Sequence, residues 1–210
     1  MMGAEPVRVP IFPLAGALLF PRSQLPLHIF EERYRDMIRD AMDGPQRIAM
    51  IQPMTLDEGA PLHKVGCIGE IVGIEELDDG RYNIILEGRR RFRWIREAET
   101  DTLYRMADVD LAAFDDGEPD PLSHVMRAAV EEEAKNFARA LNLAVDWDQV
   151  ARLDDETFVN AIAQVAPFDI AAKQALLEES NLSARAELVT QLMQFQRMAP
   201  GGADADQTLQ

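Results

Sequence analysis

The chain has 210 residues, 47% of them apolar, and a formal net charge of −16. That length holds one large domain or two small ones, and so much acid disfavours a phosphate backbone or an anionic lipid surface as partner. A lone cysteine, Cys67, excludes an internal disulfide and a cysteine-based zinc site, and it fits a reducing compartment.

The first apolar stretch, IFPLAGALLFP (11–21), invites comparison with an export signal. Such a signal needs a basic start, an unbroken apolar core and a small-residue cleavage site. Here Glu5 offsets Arg8, Pro13 and Pro21 interrupt the run, and no A-x-A site follows. A membrane span needs about 20 consecutive apolar residues, which no stretch supplies. The expectation is a soluble, cytoplasmic protein with no membrane partner.

Strand patterns dominate up to about residue 112. Val7–Leu14 is short, apolar and proline-rich, as an edge or bulged strand is. Phe30–Met42 has apolar residues at 30, 34, 37, 38, 41 and 42, the spacing of a one-faced helix. Glu31 and Glu32 favour its N-terminal dipole, and Gly44-Pro45 ends it. Arg47–Gln52, Val65–Leu77, Arg81–Arg96 and Leu103–Phe114 read as further strands, with Asp78-Asp79-Gly80 turning a hairpin. Short strands with turns between them suggest a closed or half-closed barrel.

After Phe114 the pattern changes. DDGEPD (115–120) is a polar linker, with Asp120 capping a helix that has Pro121 at its first position. Helical windows follow at 121–142, 154–166, 169–179 and 183–198, with Asp154 and Ser183 as N-caps. Residues 199–210 lack any apolar period and read as a disordered tail. The predicted organisation is a β-rich subdomain over 1–116, a helical bundle over 117–198, and that tail.

Little in the chain reads as catalytic machinery. Lys64, Lys135 and Lys173 are followed by Val65, Asn136 and Gln174, so no phosphate-binding G-x-x-x-x-G-K-[ST] motif exists. Ser23, Ser123, Ser180 and Ser183 lack a G-x-S-x-G setting. His28 precedes Glu31 and Glu32, a pair suited to acid–base work or metal binding. His63 and His124 lie in other contexts, however, and no H-E-x-x-H occurs, so His28 reads as a packing and hydrogen-bonding residue. Cys67 reads as a buried, inert thiol.

The sharpest feature is EGRRRFRWIR (87–96). Alternation places Arg89, Arg91 and Arg93 on one face, and Arg90, Phe92 and Trp94 on the other. Basic residues interleaved with aromatics bind single-stranded nucleic acid by charge and stacking. In so acidic a chain the alternative is an arginine-lined strand pairing with nearby acids, and nucleic acid is not the expected partner.

The run IFPLAGALLFPRSQLPLHIFEERYRDMI (11–38) closely resembles the entry signature of the N-terminal, substrate-binding domain of the ATP-dependent Lon proteases. HKVGCIGEIVGIEELDDGRYNIILEGRRRFRW resembles that family's VG strand, D-G-R-Y turn and EG-x-x-RF strand, with Glu87, Gly88, Arg91 and Phe92 in place. DDETFVNAIAQVAPFDIAAKQALLEESNLSARAELVTQLM resembles its helical part, so the likeness covers about residues 8 to 198. It implies an α+β fold: a small, PUA-like β pseudo-barrel with one or two helices, followed by a C-terminal helical bundle. It also implies a stand-alone relative of the recognition domain without the ATPase and peptidase modules, hence no enzyme, no catalytic residue and no cofactor. The implied partner is a protein or unfolded polypeptide. The class alternative is an RNA-binding PUA-like protein using the arginine strand 89–96. His28, Glu31, Tyr34, Glu87, Gly88, Arg91 and Phe92 are expected to be structural, with Glu31 close to Arg91 and available to pair with it. Strand addition at Val7–Leu14 and the loop Phe20–Leu25, with Phe12, Leu19 and Phe20 near the surface, is the expected peptide site.

Overall fold

The structure, a computed structural model, describes residues 5–198; the tail expected over 199–210 lies outside the described residues. The chain forms two compact units. One takes the chain up to Glu118 together with Asp169–Ser180; the other takes Pro119–Phe168 together with the chain from Asn181.

The first unit is built on six strands: β1 (Val7–Pro13), β2 (Gln24–Ile29), β3 (Arg47–Pro53), β4 (Leu62–Glu76), β5 (Tyr82–Ala98) and β6 (Arg105–Asp110). Their order is β2-β5-β4-β3-β1-β6, and β5 also pairs with β6. The sheet therefore closes into a barrel-like ring of β5, β4, β3, β1 and β6, with β2 attached outside it. The length of β5 makes both arrangements possible. Its first half, Tyr82–Glu87, pairs with β2, and its second half, Arg93–Ala98, pairs with β6. All pairings are antiparallel except β1 with β3.

Helix α1 (Glu32–Met42) follows β2 and buries Tyr34, Met37, Ile38 and Ala41, residues that recur every three or four positions. They share a cluster with Phe12, Leu19, Met50, Ile84 and Leu86. A second cluster contains Ile11, Ala49, Ile51, Phe92 and Val109. Consecutive residues of β3 thus serve different clusters, and this explains why RIAMIQ is apolar without alternation. Burial of so many aliphatic and aromatic side chains, each worth roughly 1.5–3 kcal/mol, is the main source of stability.

Glycine at position 88 has a steric cause. A Cβ there would collide with the Phe20 carbonyl, whose loop is tied to the strand by the Arg22 N–H donating to the Gly88 carbonyl at 2.8 Å. The EG element of the EG-x-x-RF motif is therefore a backbone-to-backbone contact.

The second unit contains α2 (His124–Ala140), the short α3 (Trp147–Val150), α4 (Asp155–Val165) and α6 (Leu182–Met198). Phe137, Phe158, Val159, Val189 and Met193 are buried in it. Arg127 stacks on the Phe158 ring at 4.0 Å and donates to the Val150 and Leu153 carbonyls, closing the short helix beneath. The caps differ from expectation at two places. Ser123, not Asp120, caps α2 through the Met126 N–H, and Asn181, not Ser183, accepts from the Ala184 N–H at the start of α6. Asp154 caps α4 as its sequence position suggests. Helix α5 (Ile170–Glu178) does not group with the other helices. It belongs to the sheet unit, where the Gln174 amide donates to the Val65 carbonyl at 3.1 Å.

Candidate functional site

The residues expected to offer an exposed apolar patch are in the core. Phe12, Leu19 and Phe20 are 6%, 1% and 0% exposed. The strand that holds Phe12 is not at an edge either, because β1 pairs with β3 on one side and β6 on the other. The prolines of β1 are accommodated within a closed ring, and the loop before β2 folds its apolar side chains inward.

Of the motif residues Tyr34, Arg91 and Phe92 are buried, and one partner differs from expectation. Arg91 is 1% exposed. Its guanidinium binds the Asp116 carboxylate at 2.7 Å and donates to the Leu177 and Glu179 carbonyls at 3.0 and 3.2 Å. It also lies 4.6 Å from the Phe114 ring. Glu31 is not its partner; that carboxylate pairs with Arg33. Asp116, in the stretch read as a polar linker, has its carboxylate buried, and Arg91 fastens it and the end of α5 to β5. Phe92 fills the second cluster and Tyr34 the first. Glu87 accepts from Gln24 and pairs with Arg89.

The other arginines of the strand are also engaged. Arg89 pairs with Glu70 as well as Glu87, Arg96 with Asp108, and Arg90 donates to the Phe114 carbonyl. With Arg91 and Phe92 buried, the strand does not present the alternating basic and aromatic face that single-stranded nucleic acid would require.

What the fold does leave open is β2. Among the described residues its only ladder partner is β5. The Gly88 N–H donates to the Ser23 carbonyl at 2.9 Å, just before the β2–β5 register begins at Gln24 and Glu87. Bonded pairs recur at every second residue of an antiparallel ladder, so Leu25, Leu27 and Ile29 direct their backbone groups to β5. Gln24, Pro26 and His28 direct theirs outward. Pro26, which has no N–H, therefore costs no ladder bond. The side chains alternate as well: Gln24, Pro26 and His28 are exposed, while Ile29 is buried and Leu25 and Leu27 are partly so.

The exposed face of β2, β5 and β4 carries a shallow groove of about 460 Å³ beside this edge. Register places Pro26, Ile85 and Gly73 in one row across the three strands and His28, Asn83 and Glu75 in the next. Gly73 sets the depth, since a Cβ there would reach the Ile85 side chain at 3.3 Å. Ile85 and Ile74, which line it, are exposed. The second row is a directed hydrogen-bond chain. Arg81, held by Asp79, donates to His28 Nε2 at 3.1 Å. That assigns the ring proton to Nδ1, which donates to Asn83 Oδ1 at 2.8 Å, and the Asn83 amide donates to Glu75 at 2.8 Å. His28 is thus a hydrogen-bonding residue, not paired with Glu31 or Glu32.

Among the described residues no group of three or more His, Cys, Asp and Glu could hold a metal ion, and no helix is long and apolar enough to cross a membrane. Burial pushes the Cys67 thiol far above its ordinary range. The arrangement offers a backbone edge and a partly apolar groove, and these are features for binding.

This fold, with its arginine-fastened α5, is that of a known protein class. The model of the ATP-dependent protease La (LON) substrate-binding domain matches residues 8–194, and the chain belongs to that family. It is 24% identical over 200 residues to a Lon protease of Xanthomonas oryzae, covering 90% of this chain and 23% of that one. It is 27% identical over 204 residues to Lon protease 2 of Myxococcus xanthus, covering 91% and 24%. The chain thus spans about a quarter of the length of the curated relatives it matches. A Lon N-terminal domain protein from Xanthomonas campestris superposes with a TM-score of 0.62 at 23% identity, covering 86% of this chain and 95% of that one. The N-terminal domain of a Mycobacterium avium complex Lon protease does so at 0.63 and 16%, covering 90% and 98%.

Sequence reasoning put His28 at a strand-to-helix junction but did not delimit β2 or find its open edge. The signal was present in QLPLHI, where Leu25, Leu27 and Ile29 alternate with Gln24, Pro26 and His28. Pro26 falls on the one backbone phase where a strand tolerates it.

Proposed function

We propose that this chain is a non-catalytic, substrate-recognising module that takes up extended segments of other polypeptides by adding a strand to β2. The supporting observation is that β2 has a ladder partner on one side only, with outward backbone groups at Gln24, Pro26 and His28. Strand addition uses main-chain hydrogen bonds and so tolerates many sequences, as suits a member of a substrate-binding family. Pro26 removes one donor from the middle of the edge. Ordering an extended chain also costs free energy, so the affinity is weak, about micromolar or poorer.

The test uses a reduced and alkylated, permanently unfolded protein as ligand. His28→Pro removes the outward N–H nearest the groove, and His28→Ala controls for loss of the ring. Wild type and His28→Ala should bind alike and His28→Pro several-fold more weakly, with thermal melts checking that each variant folds. Equal affinity across all three would exclude the β2 edge as the site. RNA binding gains little support from the arginine strand, where Arg89, Arg91 and Arg96 pair with Glu70, Glu87, Asp116 and Asp108 and Phe92 is buried.

A further inference from the structure

Resting on that polypeptide-binding reading, we propose that the groove on the sheet face beside β2 takes a second stretch of the bound polypeptide, flanking the one paired with the β2 edge, in which an apolar residue lies two positions from a lysine or arginine. The apolar side chain occupies the space above Gly73, against Ile85 and Pro26, and the cation meets Glu75.

Charge complementarity argues for this occupant. On the same face, the row formed by Gln24, Glu87 and Glu70 is already neutralised, because Arg89 bridges both glutamates and Arg47 approaches Glu70 at 3.8 Å. The row formed by His28, Asn83 and Glu75 is not. Glu75 accepts from a neutral amide, and among the described residues no lysine or arginine pairs with Glu75, Glu76 or Asp78, while Asp79 neutralises Arg81. The groove therefore couples an apolar floor to unmatched negative charge. Every other residue on one face of a strand lies about 7 Å further along. That is the separation between the row of Gly73 and the row of Glu75, so an extended segment lying along β4 places residues i and i+2 over the two rows. A segment with an acid at i+2 meets like charge; one without an apolar residue at i leaves the floor wet.

The experiment measures fluorescence anisotropy of labelled ten-residue peptides that differ only at these positions: Leu-x-Lys, Leu-x-Gln, Leu-x-Glu and Ser-x-Lys. Leu-x-Lys should bind about threefold to fivefold more tightly than Leu-x-Gln at low salt, the contribution of an exposed ion pair. Leu-x-Glu should bind more weakly than Leu-x-Gln. Glu75→Gln should abolish the lysine preference, Glu75→Lys should transfer it to the glutamate peptide, and 0.5 M salt should flatten it. Gly73→Val, which fills the floor in a residue type suited to strands, should weaken both Leu-x-Lys and Leu-x-Gln. Both positions are on the sheet's outer face, and circular dichroism verifies folding. Equal binding of Leu-x-Lys and Leu-x-Glu, or no binding of any peptide, overturns the proposal. If the unfolded protein still binds in a His28→Pro-sensitive manner, the edge reading survives that failure; if it does not, both fail.

Discussion

Replacing Arg91 by alanine should be among the most damaging single changes in the sheet unit. The side chains of Arg91 and Asp116 are 2% and 6% accessible, so the pair is removed from solvent screening. The substitution leaves the Asp116 carboxylate buried without its counter-charge, although it still accepts the Arg91 backbone N–H at 2.7 Å. It also leaves the Leu177 and Glu179 carbonyls, at the end of α5, without the guanidinium donor. Breaking a buried pair by removing one partner costs about 3–5 kcal/mol. At roughly 3–5 °C per kcal/mol for a domain of intermediate size, the melting temperature should fall by about 10–25 °C. The assay is differential scanning calorimetry of the wild type, Arg91→Ala, Arg91→Met with Asp116→Leu, and Asp116→Asn. The double variant should recover only part of the loss, because it removes the stranded charge but orphans the Arg91 N–H and both carbonyls. A shift below about 3 °C for Arg91→Ala would refute the reasoning, since it would mean that water or a rearranged loop solvates Asp116 without penalty.

Cys67 should resist iodoacetamide at pH 8 in the folded protein and react once guanidinium unfolds it, because burial holds it as a thiol; rapid modification of native protein would contradict the packing of β4. Asp108 accepts from Arg8 and Arg96, and these bonds hold its carboxyl below the ordinary carboxylate range. Its folded value lies below its unfolded one, so its stabilisation is complete above the unfolded value of about 3.9 and disappears as pH falls through the folded value. The wild type should therefore be more stable than Asp108→Asn at pH 7 and lose that advantage below about pH 4, as followed by urea unfolding; a difference independent of pH would show that the ion pairs contribute nothing.

Much of the fold was legible because local pattern and tertiary role agree. The spacing of Tyr34, Met37, Ile38 and Ala41 gives α1, and Asp78-Asp79-Gly80 turns the β4–β5 hairpin where expected. Legibility ended where burial depends on a distant partner. Arg91 is apolar-compatible only because Asp116 and two carbonyls from α5 converge on it, across 25 to 88 residues of sequence. The helical window of α5 was visible, but its packing against β4 is a tertiary fact, and so the continuous helical bundle over 117–198 was divided otherwise. Phe12, Leu19 and Phe20 were expected near the surface because prolines interrupt their strand and loop; in a closed ring those interruptions lie between buried side chains. The site suffered most, since an open edge is defined by a neighbour that is missing, and no residue type records that.

The most direct test of strand addition is amide hydrogen exchange across β2, resolved by NMR, while the reduced and alkylated protein is titrated in. The account predicts that the Gln24 and His28 amides, which face away from β5, gain protection as binding saturates, while those of Leu25, Leu27 and Ile29 change little. Saturable binding with unchanged exchange at Gln24 and His28 would contradict it.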